Sequence, residues 1–167
     1  MLDSLSNIFK ITELRNKILY TLMMFAVFRA GIHIPVPGVD ASVIESLFTS
    51  GNLFGLLDLF AGGALSKFSI FAMSITPYIN ASIIMQLLQS VVPQFEAWSK
   101  DGEDGRKKIA KVTRYGTVVL GFVQAAGMAF ALRANNALVN NDFLSVFVVA
   151  IILTAGTCLL MWIGEQI

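Results

Sequence analysis

Of the 167 residues, 56% are apolar and 14% are charged, with a mean hydropathy of +0.72, whereas a water-soluble domain holds about 45–50% apolar and about 25% charged residues. The formal net charge of +1 gives no general attraction to nucleic acid, and a single cysteine, Cys158, and a single histidine, His33, exclude an internal disulfide and a multi-histidine metal site. A hydrolase built on a catalytic triad or a zinc cluster is therefore a poor fit, and the distribution of apolar residues points to a bilayer as the solvent.

A hydrocarbon core about 30 Å thick needs roughly 17–25 mostly apolar residues per helix. The first stretch of that kind runs over 18–34, is interrupted by Arg29, and ends at Pro35-Val36-Pro37-Gly38, which cannot continue a helix. It has no small-residue cleavage site, so it reads as a retained helix and not as a secretory signal. Arg29 lies near the end of the stretch, where it can snorkel to the headgroups, and His33 sits at the same interface.

Residues 53–65 (LFGLLDLFAGGAL) form an apolar run too short to cross, with Asp58 and the pair Gly62-Gly63 inside it. Runs of about 10–14 apolar residues are more often re-entrant or interfacial than spanning. The expectation is a half-helix that dips in and turns back, acting either as a lid over a path or as a static cover.

The second span is expected over 68–92, with Pro77 in its interior and no charged residue. At about 100° per residue, Phe71, Ile75, Ile79, Ser82, Gln86 and Gln89 share one direction. Polar groups in a membrane usually face a bundle interior or a water-filled cavity, so one reading is a strip that lines a funnel narrowing to Ile75 and Ile79. The alternative is ordinary packing with the polar groups as interhelical glue.

The segment 93–114 is expected to be a loop, mobile at its glycines, with acidic Glu96, Asp101, Glu103 and Asp104 among six basic residues. The third span is expected over 115–132, where Gly121, Ala125 and Ala129, and separately Gly127 and Ala131, recur at spacings that let helices approach closely. The fourth is expected over 143–163, with Thr154, Thr157 and Cys158 read as packing. Nine of the twelve lysines and arginines fall in the amino-terminal arm and in 93–114. Cytoplasmic loops carry such an excess, so four crossings with both ends of the chain cytoplasmic are expected.

Four blocks, IPVPGVD at 34–40, LFAGGALSKFSIFAMSITPYINASIIMQLL at 59–88, DGEDGRKKIAKVTRYGT at 101–117 and MWIGEQI at 161–167, together resemble the SecY family, the channel-forming subunits of the Sec protein translocon. The resemblance implies an all-α membrane protein: four transmembrane helices and a short re-entrant plug, the amino-terminal part of a ten-helix channel whose second half lies beyond this chain. By the same resemblance Ile75 and Ile79 belong to an apolar pore ring. Leu56, Leu57, Asp58, Leu59, Phe60, Ala61, Gly62, Gly63 and Ala64 match the plug, and Asn80, Ile83 and Leu87 match the lateral gate where signal sequences intercalate.

Implied partners are the SecE and SecG subunits, the SecA motor ATPase or the ribosome, signal sequences with unfolded secretory polypeptides, and membrane lipids, with no direct role for nucleic acid and a plasma-membrane location. No catalytic residue, cofactor or metal is expected. The phosphate-binding pattern GxxxxGK[ST] does not occur in the sequence, so energy would come from a partner. A fragment of a secondary transporter with a broken-helix solute site, or a nonfunctional remnant, are the other readings.

Overall fold

The structure, a computed structural model, describes residues 12–40, 42–44 and 67–166. The expected re-entrant segment 53–65, with all nine plug residues, lies outside the described residues. Among the described residues there are five helices, α1 (Thr12–Gly31), α2 (Thr76–Val91), α3 (Pro93–Lys100), α4 (Gly102–Ala134) and α5 (Phe143–Gln166). Pairing of extended backbone is limited there to two isolated antiparallel bridges, Pro35 with Ser69 and Val39 with Leu138.

α5 and α2 both pack on α4, and at Gly121 Pro77 of α2 and Thr154 of α5 meet the same position. α5 is apolar all round, but only one stripe is buried, at Val146, Val149, Ala150, Leu153, Gly156, Thr157, Leu160 and Ile163, the three- and four-residue spacing of a single helix face. The matching stripe on α4 is Thr113, Thr117, Gly121, Ala125, Ala129 and Leu132. Lipid tails are as apolar as leucine, so close packing and not transfer from water holds such helices together, and small residues at the contact allow it. Gly121, Ala125 and Ala129 are buried as their spacing suggests, whereas Gly127 and Ala131 lie exposed on the far side of α4.

The buried threonines cost little because their hydroxyls are satisfied within the helix. Thr113 Oγ1 donates to the Ile109 carbonyl at 2.9 Å, Thr117 Oγ1 to Thr113 at 2.8 Å, and Thr154 Oγ1 to Ala150 at 2.7 Å.

Two expected boundaries shift. Helix α2 begins at Thr76, not at residue 68, and residues 67–75 form a series of turns with φ of +41° at Phe68 and +53° at Ser74. Pro77 explains the start: at the second helical position its missing N–H would have had no partner, whereas inside a helix its ring strikes the carbonyl four residues back. The apolar run is continuous through the boundary, so hydropathy does not mark it. The segment 93–114, expected as a loop, is helical apart from the bend at Asp101: α3 and the first turns of α4 fold back on each other as a hairpin. Gly102 makes the bend with φ of +68°, a backbone conformation that favours glycine, and a side chain at Gly105 would strike the Trp98 carbonyl, so one glycine serves the turn and the other the close packing. Glu96 accepts from Lys100 Nζ at 2.6 Å, and that bond holds its carboxyl below the ordinary value of 4.5.

At the end of the bundle away from this hairpin, three connections are tied together. Val36 N donates to Phe68 O at 3.0 Å and Ile70 N to Ile34 O at 3.1 Å, while Asp40 N donates to Ala137 O at 2.8 Å and Val139 N to Gly38 O at 3.0 Å. Under this knot lies the larger apolar cluster, which includes Val36, Phe68, Met73, Leu138 and Leu153. A smaller cluster of Ile32, Phe71 and Leu160 docks the end of α1, with Phe28 stacked on Phe71 at 5.7 Å between ring centres. His33, expected at this interface, is exposed, with Nδ1 2.9 Å from the Arg29 carbonyl; a carbonyl only accepts, so the proton is on Nδ1.

Candidate functional site

Helix α2 has two distinct faces. Pro77, Ala81 and Met85 are buried, and the first two meet α4 at Gly121 and Gly116. About 160° around the helix, Ile79 and Ile83 lie on one line with Ile75, the residue that caps it, and Leu87. Ile75 is 45% exposed, Ile79 46%, Ile83 50% and Leu87 64%, so none is sealed in a helix contact. Asn80 lies between the faces and is half-buried. The pore-ring matches Ile75 and Ile79 and the gate matches Ile83 and Leu87 thus form one continuous apolar stripe with i, i+4 spacing, and the third gate match, Asn80, lies outside it.

The strip read from the sequence is only partly realised. Phe71 is 2% exposed and belongs to the turn segment, where its ring packs on Phe28 and Gly31, so it drops out. The polar end of the strip does come together: Ser82, Gln86 and Gln89 line a cleft of about 170 Å³ closed by Tyr78, Met85, Ile109, Ala110, Thr113 and Glu165. This cleft lies between α2, α4 and the end of α5, so these polar groups serve a helix junction as well as the strip.

An ion pair that sequence reasoning did not single out closes the same junction. Arg114 Nε donates to Glu165 Oε1 at 2.7 Å, with the two side chains 53% and 21% exposed. Glu165 is the lone charged residue in α5, and that isolation in an apolar helix was the available signal. The pair joins two of the sequence blocks, 101–117 and 161–167. Asn16, Lys17, Tyr20, Thr21 and Gln166 line a second cleft of about 320 Å³, which brings the start of α1 beside the end of α5.

Among the described residues no group of three or more His, Cys, Asp or Glu side chains is placed to hold a metal ion. The arrangement offers an apolar surface, a set of neutral polar groups and an ion pair at one end.

A family model described as SecY matches residues 69–167. The chain belongs to the SecY family. Over its whole length it is 54% identical to the protein translocase subunit SecY of Halalkalibacterium halodurans, 52% to that of Bacillus subtilis and 47% to that of Staphylococcus aureus. It spans 39% of the length of the first two and 40% of the third. As a SecY-family chain it is an all-α membrane protein, and α4 and α5 are long and apolar enough to cross a bilayer by length and composition. α2, with 16 residues, reaches only about 24 Å, and buried turns precede it.

Proposed function

We propose that this chain forms the amino-terminal part of a protein-conducting channel, through which unfolded polypeptides cross the membrane and from which apolar segments leave sideways into lipid. The observation that carries the reading is the exposed stripe Ile75–Ile79–Ile83–Leu87 on a helix whose opposite face is locked against α4. In the complete channel Ile75 and Ile79 contribute to an apolar constriction that dewets when empty and yields to side chains of many kinds, and Asn80, Ile83 and Leu87 belong to the lateral gate. No covalent step is required, so the chain acts as a passive conduit and not as an enzyme.

SecE, SecG and either SecA or the ribosome are the partners of the complete assembly under this reading. The chain crosses a plasma membrane four times with the basic ends inside. The nearness of Lys17 to Gln166, and the Arg114–Glu165 pair beside the basic hairpin, support a common side for both ends.

The test is resting ion conductance of the full-length channel in planar bilayers. A fully desolvated isoleucine contributes about 1.5–3 kcal/mol of apolar free energy, so losing roughly half of that at each of two sites corresponds to a leak about tenfold to a hundredfold higher. Ile75→Gly with Ile79→Gly is expected to show that rise, and unchanged conductance removes both residues from the constriction.

A further inference from the structure

The turn segment 67–75 is the part of the bundle least like a membrane helix and among the most tightly enclosed. Phe68, Ser69, Phe71, Ala72 and Met73 are all buried. Its two positive-φ residues, Phe68 and Ser74, are not glycines, and such backbone persists only where the surroundings over-determine it. Two neighbours on α5 supply that constraint next to the exposed stripe. A Cβ at Gly156 would overlap the Ile70 carbonyl oxygen, so only glycine lets this carbonyl seat against α5. Thr157, 2% exposed, behaves unlike Thr113, Thr117 and Thr154, which all turn back on their own helix. Its Oγ1 reaches across to the Ser74 carbonyl at 3.5 Å.

We propose that Gly156 and Thr157 are positioning residues for Ile75: together they hold the backbone from Ile70 to Ser74 so that Ile75 leaves the turn in one fixed direction and starts the exposed stripe. Ile75 is the capping residue of α2, and its carbonyl accepts from Ile79 N at 3.1 Å. A rotation at Ser74 would therefore swing Ile75 and tilt the first turn of the helix with it. The effect on ion leak rests on the conduit reading; the placement of Ile75 does not.

The experiment uses the full-length channel in a cysteine-free background, with a nitroxide label at a cysteine introduced for Ile75 and, in parallel unlabelled proteins, planar-bilayer conductance. Thr157→Val removes the hydroxyl at nearly constant volume, Thr157→Ser keeps it, and Gly156→Ala inserts the Cβ. The expected result is a shift of the label spectrum toward higher mobility in Thr157→Val and Gly156→Ala and a parent-like spectrum in Thr157→Ser. In the unlabelled proteins Gly156→Ala should raise resting leak about fivefold or more, the factor that corresponds to the low end of the penalty for inserting a methyl into packed structure, and Thr157→Val should change it in the same direction.

If Gly156→Ala does not accumulate, the Thr157 pair decides alone. Parent-like spectra in Thr157→Val and Gly156→Ala overturn the positioning role, as does a Thr157→Ser spectrum that matches Thr157→Val. If Ile75→Gly proves no leakier than the parent, the constriction reading falls, and the label spectra still decide whether α5 sets the direction of Ile75.

Discussion

The Arg114–Glu165 contact shows how a single charged residue in an apolar helix announces its partner's side of the bundle. Half-exposed pairs contribute about 0.2–1 kcal/mol, so Glu165→Gln is expected to lower the unfolding midpoint of the full-length protein in detergent only modestly. Adding Arg114→Gln should cost little more, and a double-mutant cycle measures that coupling. Asp40 gives a pH-dependent counterpart. Its Oδ1 accepts from Ser42 Oγ at 2.6 Å and Ser42 N at 3.0 Å, and those bonds lower its pKa below the ordinary 3.8. A lowered carboxyl pKa means that the contribution is complete above pH 3.8 and is lost as pH falls through the lowered value. Carbon-detected titration should find Asp40 still ionised at pH 3.8, and Ser42→Ala should move its midpoint up. Spacing put Ile75 and Ile79 on one strip, and both are exposed in the structure, Ile75 as the cap of α2 and Ile79 in its first turn. Thr157 was legible only as a packing residue, since nothing in the order of residues tells a hydroxyl that turns back from one that reaches across.

At the scale of elements, the fourth span was the most readable: 143–163 was expected and Phe143–Gln166 is found, because an uninterrupted apolar run of that length has few alternatives in a membrane. The second span was the least readable. Its apolar content runs evenly through 68–92, and only Pro77 and two positive-φ residues mark where the helix begins, features that hydropathy does not register. The segment 93–114 misled for the opposite reason. Dense mixed charge and glycines resemble a loop, yet Lys100–Glu96, Lys107–Asp104 and Lys108–Asp101 pair within or across the hairpin, and Gly105 admits α3 to close contact. Gly105→Ala is expected to disrupt the α3–α4 contact by about 1–3 kcal/mol, as other insertions into packed structure do. Limited proteolysis of reconstituted vesicles should then cut near residue 101 faster than in the parent, and an unchanged rate would mean the hairpin tolerates the methyl.

At the scale of the molecule, α4 sets the dimensions. Its 33 residues measure about 50 Å at 1.5 Å per residue, against a hydrocarbon core of about 30 Å, so about 20 Å of basic helix stands clear of the lipid. With that end cytoplasmic, a cysteine substituted for Lys108 is expected to react with an impermeant maleimide in inside-out vesicles and to stay protected in right-side-out ones; the reverse pattern would invert the topology. The knot at the opposite end bears on how such a chain is made. Its Gly38–Val139 bond joins residues separated by 101 positions in the sequence. At a synthesis rate of about 5–20 residues per second, that bond cannot close until roughly 5–20 s after Gly38 has been added. For that interval the newborn helices are latched only by the Val36–Phe68 and Ile34–Ile70 bonds, which need no residue past Ile70, and a chain interrupted before Ala137 would keep that half of the knot and never gain the other.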